Sequence, residues 1–167
     1  MDSSDVIILG GGLVGLTLAI ALEKHGLTVA VVDPLDPDKA LTAGFDGRAS
    51  AIASASWRML DALGVGESLK PHGCAIHRIE VRDGLQKNAL DFTTTEDDEP
   101  LGYMLENRAL RQGLRETALP AKGIALHMPD RAAKVERDDV GVRVTLASGK
   151  KLKAPLLLAC EGRKSQT

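Results

Sequence analysis

The apolar positions are most regular at the start of the chain. Residues 6–9 form a short, fully apolar run of the kind that makes a buried parallel strand. Good helix formers fill residues 16–25, and Gly26 stands where a helix commonly ends. A second apolar run covers residues 28–32. This order predicts a βαβ unit, in which a helix connects two parallel strands.

A loop and a second helix are predicted next. Prolines and acidic residues make residues 34–47 a loop. Residues 50–63 then have the spacing of a helix, with Gly64 as its stop, and residues 66–70 can add one more turn. The apolar side of this predicted helix consists of Ile52, Met59, Leu60 and Leu63.

The following region alternates apolar and polar residues, as a strand with one solvated face does. Residues 75–82 have this pattern, and the Asp-Gly pair that follows is a strong turn signal, so residues 86–92 can pair back as a hairpin. Residues 101–105 form another short apolar strand. We therefore expect residues 72–105 to contribute antiparallel strands that are inserted into the βαβ protein.

The last third of the chain predicts one helix and several short strands. Residues 108–119 repeat apolar side chains every four positions, which indicates an amphipathic helix that Asn107 can cap. Apolar or alternating runs then predict strands at residues 124–128, 132–137, 140–146, 151–153 and 155–160.

The sequence GGGLVG, which joins the first strand to its helix, fits the pattern G-x-G-x-x-G. Gly10 allows a sharp turn out of the strand, Gly12 lets the backbone approach a pyrophosphate, and Gly15 lets the helix pack closely. The helix then directs its free N–H groups and the positive end of its dipole at the phosphates, and Leu13 and Val14 of the turn are assigned to the same site. These five residues are the predicted phosphate-binding contacts.

Asp33 ends the second strand, where a carboxylate can accept hydrogen bonds from ribose hydroxyls. The sequence has all the elements of the motif in the expected order: strand, turn, helix, second strand and acid. This order favours dinucleotide binding over a purely structural turn. The acid disfavours NADP at this position and leaves FAD and NAD open. The predicted fold class is α/β: a Rossmann-like FAD/NAD(P)-binding domain with a parallel βαβ core and an inserted antiparallel sheet portion.

The composition is that of an ordinary soluble domain with few aromatic side chains. The 167 residues are enough for one domain with a real core, and 44% of them are hydrophobic and 26% charged. Aromatic residues make up only 2%, so aliphatic side chains must build that core. The formal net charge of −2 gives no field to attract nucleic acid or an anionic membrane.

The remaining residues indicate no membrane span, metal site or catalytic triad. No apolar run approaches the ~20 residues of a span, and the acidic start of the chain argues against a signal peptide. Cys74 and Cys160 match no zinc or redox spacing, so we interpret them as reduced, mostly buried thiols. We expect a cytoplasmic protein. The histidines have no acid or nucleophile at triad-like spacing and are interpreted as surface or edge residues: His25, His72, His77 and His127.

Four stretches carry a resemblance to a known family. They are the βαβ unit, DGRASAIA at 46–53 with SWRML at 56–60 and LGV at 63–65, LGYMLENRAL at 101–110, and LLACEGRKS at 157–165. With them, nearly the whole chain resembles the N-terminal part of a class A flavoprotein monooxygenase of the p-hydroxybenzoate hydroxylase type. The second and third stretches are most similar to those of the ubiquinone-biosynthesis hydroxylases.

The resemblance implies further cofactor contacts. Arg48 matches an arginine that lies beside FAD, with an ordinary surface arginine as the alternative. Asn107 falls where relatives place a polar side chain on the cofactor, and it can equally be a simple helix cap. Glu161 and Gly162 stand where the superfamily usually has Asp-Gly, whose acid serves flavin and nicotinamide nucleotide binding. Glutamate is one methylene longer, and a solvated loop acid is the alternative.

The resemblance also implies an activity. NAD(P)H would reduce FAD, which would react with O₂ so that an oxygen atom enters an electron-rich aromatic substrate. In the ubiquinone branch this substrate would be a polyprenylated phenol. The enzyme would then contact the inner membrane face peripherally or belong to a multienzyme complex. No side chain is an evident acid, base or nucleophile, so no catalytic residue is assigned. Another flavoenzyme of this fold, such as a halogenase or prenyl reductase, stays open, as does a nucleotide-binding module without activity.

The resemblance further implies that residues 1–167 are the FAD-binding domain of a longer enzyme. In relatives, a later Gly-Asp segment holds the ribityl side of FAD, and strands such as those within residues 72–105 join the sheet of a substrate domain. Neither that segment nor the C-terminal substrate portion is part of this sequence. We therefore expect the 167-residue chain to bind FAD weakly or lose it, to be catalytically incomplete and to be prone to self-association.

Overall fold

The computed structural model describes residues 1–37, 39, 47–84, 89–95, 98–165 and 167. The chain divides into two compact units, which are described separately. The first unit comprises Met1–Gly44 and Arg111–Thr167, and the second comprises Phe45–Leu110. Three sequence predictions lie partly or wholly outside the described residues: the loop at 34–47, the first residues of the strand at 86–92, and Asp46 of the DGRASAIA stretch.

Within the described residues, short strands alternate with a few helices. The strands are β1 Asp2–Ser3, β2 Val6–Leu9, β3 Val29–Val32, β4 Ala49–Ala53, β5 Cys74–Ile76, β6 Arg78–Arg82, β7 Ala89–Thr93, β8 Gly102–Glu106, β9 Ile124–His127, β10 Ala132–Asp138, β11 Gly141–Leu146, β12 Lys151–Ala154 and β13 Leu156–Ala159. The α-helices are α1 Leu13–Lys24, α2 Ser54–Ala62, α3 Gly66–Leu69 and α4 Asn107–Ala118, with 3₁₀ turns at Lys70–His72 and Gly162–Lys164. None of the described helices has the length and apolar character needed to span a membrane.

A parallel sheet with the strand order β13-β2-β3-β9 forms the centre of the first unit. Its inner strands β2 and β3 are apolar and buried at every position, because both of their faces are covered. Helix α1 packs against β2, β3 and β9. The residues of α1 that are buried are Gly15, Leu16, Ala19 and Ile20. The predicted βαβ unit is therefore confirmed.

A second layer packs on the sheet face opposite to α1. Strands β10, β11 and β12 pair antiparallel, and β1 joins them in parallel with β12. Strand β11 alternates buried and more exposed positions, as predicted for a strand with one solvated face. The core between the two layers consists of Ile7, Leu9, Ala30 and Val32 from the parallel sheet and Val142, Val144, Leu146, Leu152 and Ala154 from the second layer.

The second unit contains antiparallel strands, as predicted. Strand β8 lies between β4 and β5, and β6 pairs with β7 in a separate two-stranded ribbon. Helix α2 packs against β4 and β8. Its Trp57 is buried, and the centroid of the Trp57 ring lies 4.2 Å from that of Tyr103. The assignment of residues 72–105 to the sheet of a substrate domain stays a prediction.

The predicted helix at residues 50–63 is wrong in its first part. Ala49–Ala53 is strand β4, and α2 begins only at Ser54. All five residues of β4 pair antiparallel with β8, and this long-range pairing outweighs the helical propensity of the alanines. Met59, predicted on the apolar side of the helix, is 48% exposed, and Trp57 is buried instead.

Two smaller predictions are also corrected. The predicted strand at 75–82 is two strands that part at His77, because β5 pairs with β8 whereas β6 pairs with β7. Cys74 is exposed rather than buried, since it begins the edge strand β5. Cys160 is partly buried, and both cysteines are free thiols.

Candidate functional site

A cleft of about 400 Å³ opens in the first unit where the parallel strands β2 and β3 end. Ligands of open α/β sheets bind at the carboxyl ends of the strands. The cleft brings together three residues predicted from the sequence, namely Gly10, Asp33 and Glu161. Its other lining residues are Leu9, Val32, Pro34, Arg131 and Ala132.

The shape of the turn after β2 depends on two glycines. Gly10 has a φ of +103°, and a Cβ there would collide with the carbonyl group of Cys160. A Cβ on Gly15 would overlap the carbonyl oxygen of Gly10 and lie 3.4 Å from Cγ2 of Ile8. Only glycine therefore allows the sharp turn at position 10 and the close packing of α1 on β2 at position 15.

Gly12 has a different environment, because it borders open space. A Cβ added to Gly12 would meet no atom within 4 Å. Gly12 is the N-cap residue of α1, no side chain caps the helix, and its first turn contains no acidic residue. Val14 in that turn is 70% exposed. The positive end of the helix, with the N–H groups of Leu13 and Val14, therefore has no carboxylate of the helix itself to neutralise it.

Asp33 connects the end of β3 to the glycine turn. Its Oδ2 accepts a hydrogen bond from the N–H of Gly11 at 2.7 Å, and its Oδ1 accepts one from the N–H of Leu35 at 2.7 Å. Each carboxylate oxygen can accept more than one hydrogen bond. Asp33 can therefore hold the turn and still accept hydrogen bonds from the hydroxyls of a ribose.

Glu161 follows β13, the strand on the other side of β2. Its Oε2 accepts hydrogen bonds from the hydroxyls of Ser165 at 2.7 Å and Thr167 at 2.6 Å. Gly162 has a φ of +75° and begins the 3₁₀ turn that carries Ser165 back toward the carboxylate. The acid is thus oriented by its own loop, and it lines the cleft together with Gly10 and Asp33.

Arg131 lines the same cleft and was not predicted from the sequence. The residue before it, Asp130, donates its N–H to the carbonyl oxygen of Asp33 at 2.9 Å. The carboxylate of Asp130 accepts the N–H of Arg131 at 2.8 Å and the hydroxyl of Ser148. A polar segment directly after an apolar strand was the available signal, because the parallel strand β9 ends at the same edge as β3.

Arg48 and Asn107 lie in the second unit, where strand pairing brings them together. The N–H of Asn107 donates to the carbonyl oxygen of Arg48 at 3.1 Å. The side-chain Oδ1 of Asn107 accepts a hydrogen bond from the hydroxyl of Ser50 at 2.6 Å. Asn107 thus begins α4 and is tied to the start of β4 by both its backbone and its side chain.

Burial changes the acidity of two groups near the ends of the parallel strands. The pKa of His127 lies below its ordinary value of 6.5, because partial burial and the charge of Lys150 disfavour the imidazolium. Asp2 and Asp130 oppose this shift. The Nε2 atom of His127 is buried without a hydrogen-bond partner among the described residues. Burial also raises the pKa of the Cys160 thiol above its ordinary value, so the thiolate form is disfavoured there.

His127 was interpreted as a surface or edge residue, and the structure refines this interpretation. The residue ends β9, which is an edge strand of the parallel sheet. Its side chain is nevertheless partly buried, and the charges of Lys150, Asp2 and Asp130 are near enough to affect its pKa. The described residues contain no group of histidine, cysteine and acidic side chains that could hold a metal ion.

A family model described as an FAD binding domain matches residues 3–167. The chain belongs to this FAD-binding family. The match covers the glycine turn, Asp33, Arg48, Asn107 and Glu161, so all the predicted contacts fall within the domain that the family shares.

Two curated relatives of this FAD-binding chain are named as a ubiquinone hydroxylase and a demethoxyubiquinol hydroxylase. The chain is 44% identical over 165 residues to "Ubiquinone hydroxylase UbiL" of Rhodospirillum rubrum. The alignment covers 98% of this chain and 38% of that protein. It is 31% identical to "3-demethoxyubiquinol 3-hydroxylase" of Escherichia coli over 98% of this chain and 42% of that protein. The chain therefore spans about two fifths of the length of these relatives.

Solved structures support the same fold for the FAD-binding chain. The p-nitrophenol 4-monooxygenase PnpA of Pseudomonas putida matches with a TM-score of 0.78 and 20% identity, over 99% of this chain and 43% of that one. The flavin-dependent monooxygenase PieE, solved in complex with FAD and substrate, matches with a TM-score of 0.74 and 19% identity, over 98% of this chain and 31% of that one. At these identities the likeness concerns the fold alone.

The described residues fit the FAD of this family on structural grounds. Gly12 leaves open space where a phosphate needs close approach, and the N-terminus of α1 offers uncapped N–H groups. Asp33 keeps acceptor capacity beside that turn. The first unit thus assembles the turn, Asp33 and Glu161, whereas Arg48 and Asn107 are paired within the second unit.

Proposed function

We propose that this chain is the FAD-binding part of a flavin-dependent monooxygenase that hydroxylates a phenolic, polyprenylated ubiquinone precursor with NAD(P)H and O₂. The cleft formed by the glycine turn, Asp33 and Glu161 carries the cofactor part of this proposal. The substrate class rests on the 44% identity to a ubiquinone hydroxylase over nearly the whole chain.

Different residues of the first unit would bind different parts of the cofactor. The turn with Gly10, Gly12 and Gly15 and the N–H groups of Leu13 and Val14 would bind the pyrophosphate. Asp33 would accept hydrogen bonds from the ribose of the AMP half. These contacts use strand ends and a helix terminus, which hold a ligand more rigidly than a free loop does.

Glu161 and Gly162 would bind on the other side of the glycine turn, and we propose Arg48 and Asn107 as further FAD contacts. The hydroxyls of Ser165 and Thr167 orient the Glu161 carboxylate before any ligand arrives. The Ser50 hydroxyl does the same for the amide oxygen of Asn107. Such preorganisation reduces the entropy that is lost on binding.

Bound FAD supplies the electron transfer from NAD(P)H to O₂ that activates oxygen for insertion into an aromatic ring. The chain itself binds and orients the cofactor, and no acid, base or nucleophile is assigned to it.

For a polyprenylated substrate we further propose peripheral contact with the inner face of a membrane or with a multienzyme complex.

A chimera tests this function. The matching part of the Rhodospirillum rubrum relative is replaced by this chain, and the product formed from a prenylated phenol with NAD(P)H is analysed by mass spectrometry. We expect a hydroxylated product, and we expect Gly12→Val in the same chimera to abolish it. A chimera that binds FAD and oxidises NAD(P)H but yields no hydroxylated phenol would contradict the proposed substrate class.

A further inference from the structure

The structure assigns Arg131 to the adenine end of the cofactor cleft, where its guanidinium would stack on the face of the base. This inference rests on the proposed function, because it places a further contact in the same cleft. Arg131 does not belong to the glycine motif, and it is one of the cleft-lining residues that the motif leaves unexplained.

The order of the strand ends determines which part of a dinucleotide would meet Arg131. The glycine turn follows β2, Asp33 follows the neighbouring strand β3, and the segment with Arg131 follows β9, the next strand in the same direction. Neighbouring strands are ≈ 4.8 Å apart. This spacing is close to the distance from a phosphate to its ribose and from the ribose to its base. Phosphate at β2 and ribose at β3 therefore put the base beside the segment after β9.

Backbone hydrogen bonds hold Arg131 at this place from both sides. The preceding residue, Asp130, donates its N–H to the carbonyl oxygen of Asp33 at 2.9 Å. The carbonyl oxygen of Arg131 accepts the N–H of Ala147 at 2.9 Å, and Ser148 donates to the Asp130 carboxylate. The Arg131 side chain therefore starts from a fixed backbone directly beside the predicted ribose ligand.

In the described part of the chain, no carboxylate forms an ion pair with the Arg131 guanidinium. Asp33 directs its oxygens to the N–H groups of Gly11 and Leu35, and Asp130 is engaged by backbone and by Ser148. Arg131 lines the cleft, and a planar, weakly hydrated guanidinium without an ion pair is suited to stack on an aromatic base.

Binding of two fragments of the cofactor separates this role from a phosphate contact. AMP contains the base, whereas inorganic pyrophosphate contains only the group expected at the glycine turn. We expect Arg131→Ala to raise the Kd for AMP and FAD about three- to thirtyfold, as for the loss of a cation–π contact. The Kd for pyrophosphate should stay within about twofold of the parent. Titration calorimetry on the 167-residue chain measures all three.

Two further variants sharpen the test. Arg143→Ala removes an exposed arginine whose guanidinium pairs with Asp138 outside the cleft, and it should bind all three ligands like the parent. Arg131→Lys keeps the positive charge without the planar group and should bind AMP clearly more weakly than the parent. Full recovery by lysine, or an equal loss of AMP and pyrophosphate affinity, would show a phosphate contact and overturn the inference.

Failure of this inference and failure of the proposed function give different results. If the parent chain binds FAD and Arg131→Ala binds both FAD and AMP as tightly as the parent does, Arg131 does not contact the base. Only this inference is then wrong. If the parent shows no saturable FAD binding at all, the proposed function is wrong and Arg131 has no cofactor to contact.

Discussion

The N–H of Gly11 donates a hydrogen bond of 2.7 Å to Oδ2 of Asp33, which ties the glycine turn to the end of the neighbouring strand. The acid expected to bind a ribose therefore also fixes the turn expected to bind the phosphates. Its second oxygen, Oδ1, accepts the N–H of Leu35 at 2.7 Å. A change at Asp33 must consequently alter both the stability of the turn and the affinity for the cofactor.

Asp33→Ala should produce both effects. We expect FAD affinity to fall about ten- to hundredfold, or ~1.5–3 kcal/mol, as charged hydrogen bonds to a ribose are lost. Without FAD, the free energy of unfolding should fall by about 1–3 kcal/mol, because the partly buried N–H of Gly11 loses its partner. FAD titration and urea unfolding measure the two quantities. Asp139→Ala, an exposed acid in the β10–β11 turn, is the control and should change neither. A loss of FAD affinity below twofold would exclude Asp33 as the ribose ligand.

Gly12→Val and Gly15→Ala should separate cofactor binding from folding. A side chain at position 12 meets open space in the protein, so the fold should persist while the branched side chain occupies the room that a pyrophosphate needs. A methyl group at position 15 overlaps the carbonyl oxygen of Gly10, so Gly15→Ala should lower the free energy of unfolding by about 1–3 kcal/mol. Circular dichroism during urea unfolding and FAD titration compare the variants. A Gly12→Val chain with parental FAD affinity would contradict this assignment.

The first βαβ unit could be predicted because its signals are local. Fully apolar strands, the spacing of Gly10, Gly12 and Gly15, and the terminal Asp33 are all visible in the sequence, and the structure has the expected strands and helix. Strand β4 could not be predicted, because its residues have no strand pattern of their own and become a strand only by pairing with β8.

The candidate site could be predicted only in part for the same reason. The residue pattern indicated Gly10 and Asp33, and the family resemblance added Glu161, which lines the same cleft. The contribution of Arg131 depends on how the segment after β9 turns back past Asp33, which is a long-range feature. The Gly11–Asp33 hydrogen bond likewise exists only once β2 and β3 lie side by side.

His127 predicts a pH dependence of stability in a window near its ordinary pKa of 6.5. Since the pKa is lower in the folded chain, the unfolded chain takes up a proton first as the pH falls through this window. The stability contributed by neutral His127 is therefore fully present above 6.5 and decreases below it. We expect urea unfolding to give a lower free energy at pH 5.5 than at pH 7.5, and a smaller difference in His127→Gln. Equal losses in parent and variant would exclude His127 as the cause.

The β6–β7 ribbon predicts self-association of the isolated chain. The register pairs Ile79 with Phe92 and Val81 with Leu90, so one ribbon face presents four exposed apolar side chains. The opposite face is charged, with Arg78 bonded to Asp91. We expect light scattering to show concentration-dependent association that Val81→Lys reduces, because a charge on the apolar face opposes its burial.

A matched control locates the association on the ribbon. Val140 is 88% exposed in the first unit, and Val140→Lys adds the same charge away from the ribbon. This variant should associate like the parent. Monomeric parent protein at all concentrations, or an equal effect of the two lysine variants, would contradict the role of the ribbon.

We propose that this chain binds FAD through the glycine turn and Asp33, and titration of the purified 167-residue chain with FAD measures that binding. Flavin absorbance and fluorescence would be followed as FAD is added, with AMP as a competitor. We expect saturable binding of one FAD per chain that AMP competes away. A chain that shows no saturable change in the flavin signal, or one whose FAD is not displaced by AMP, would contradict it.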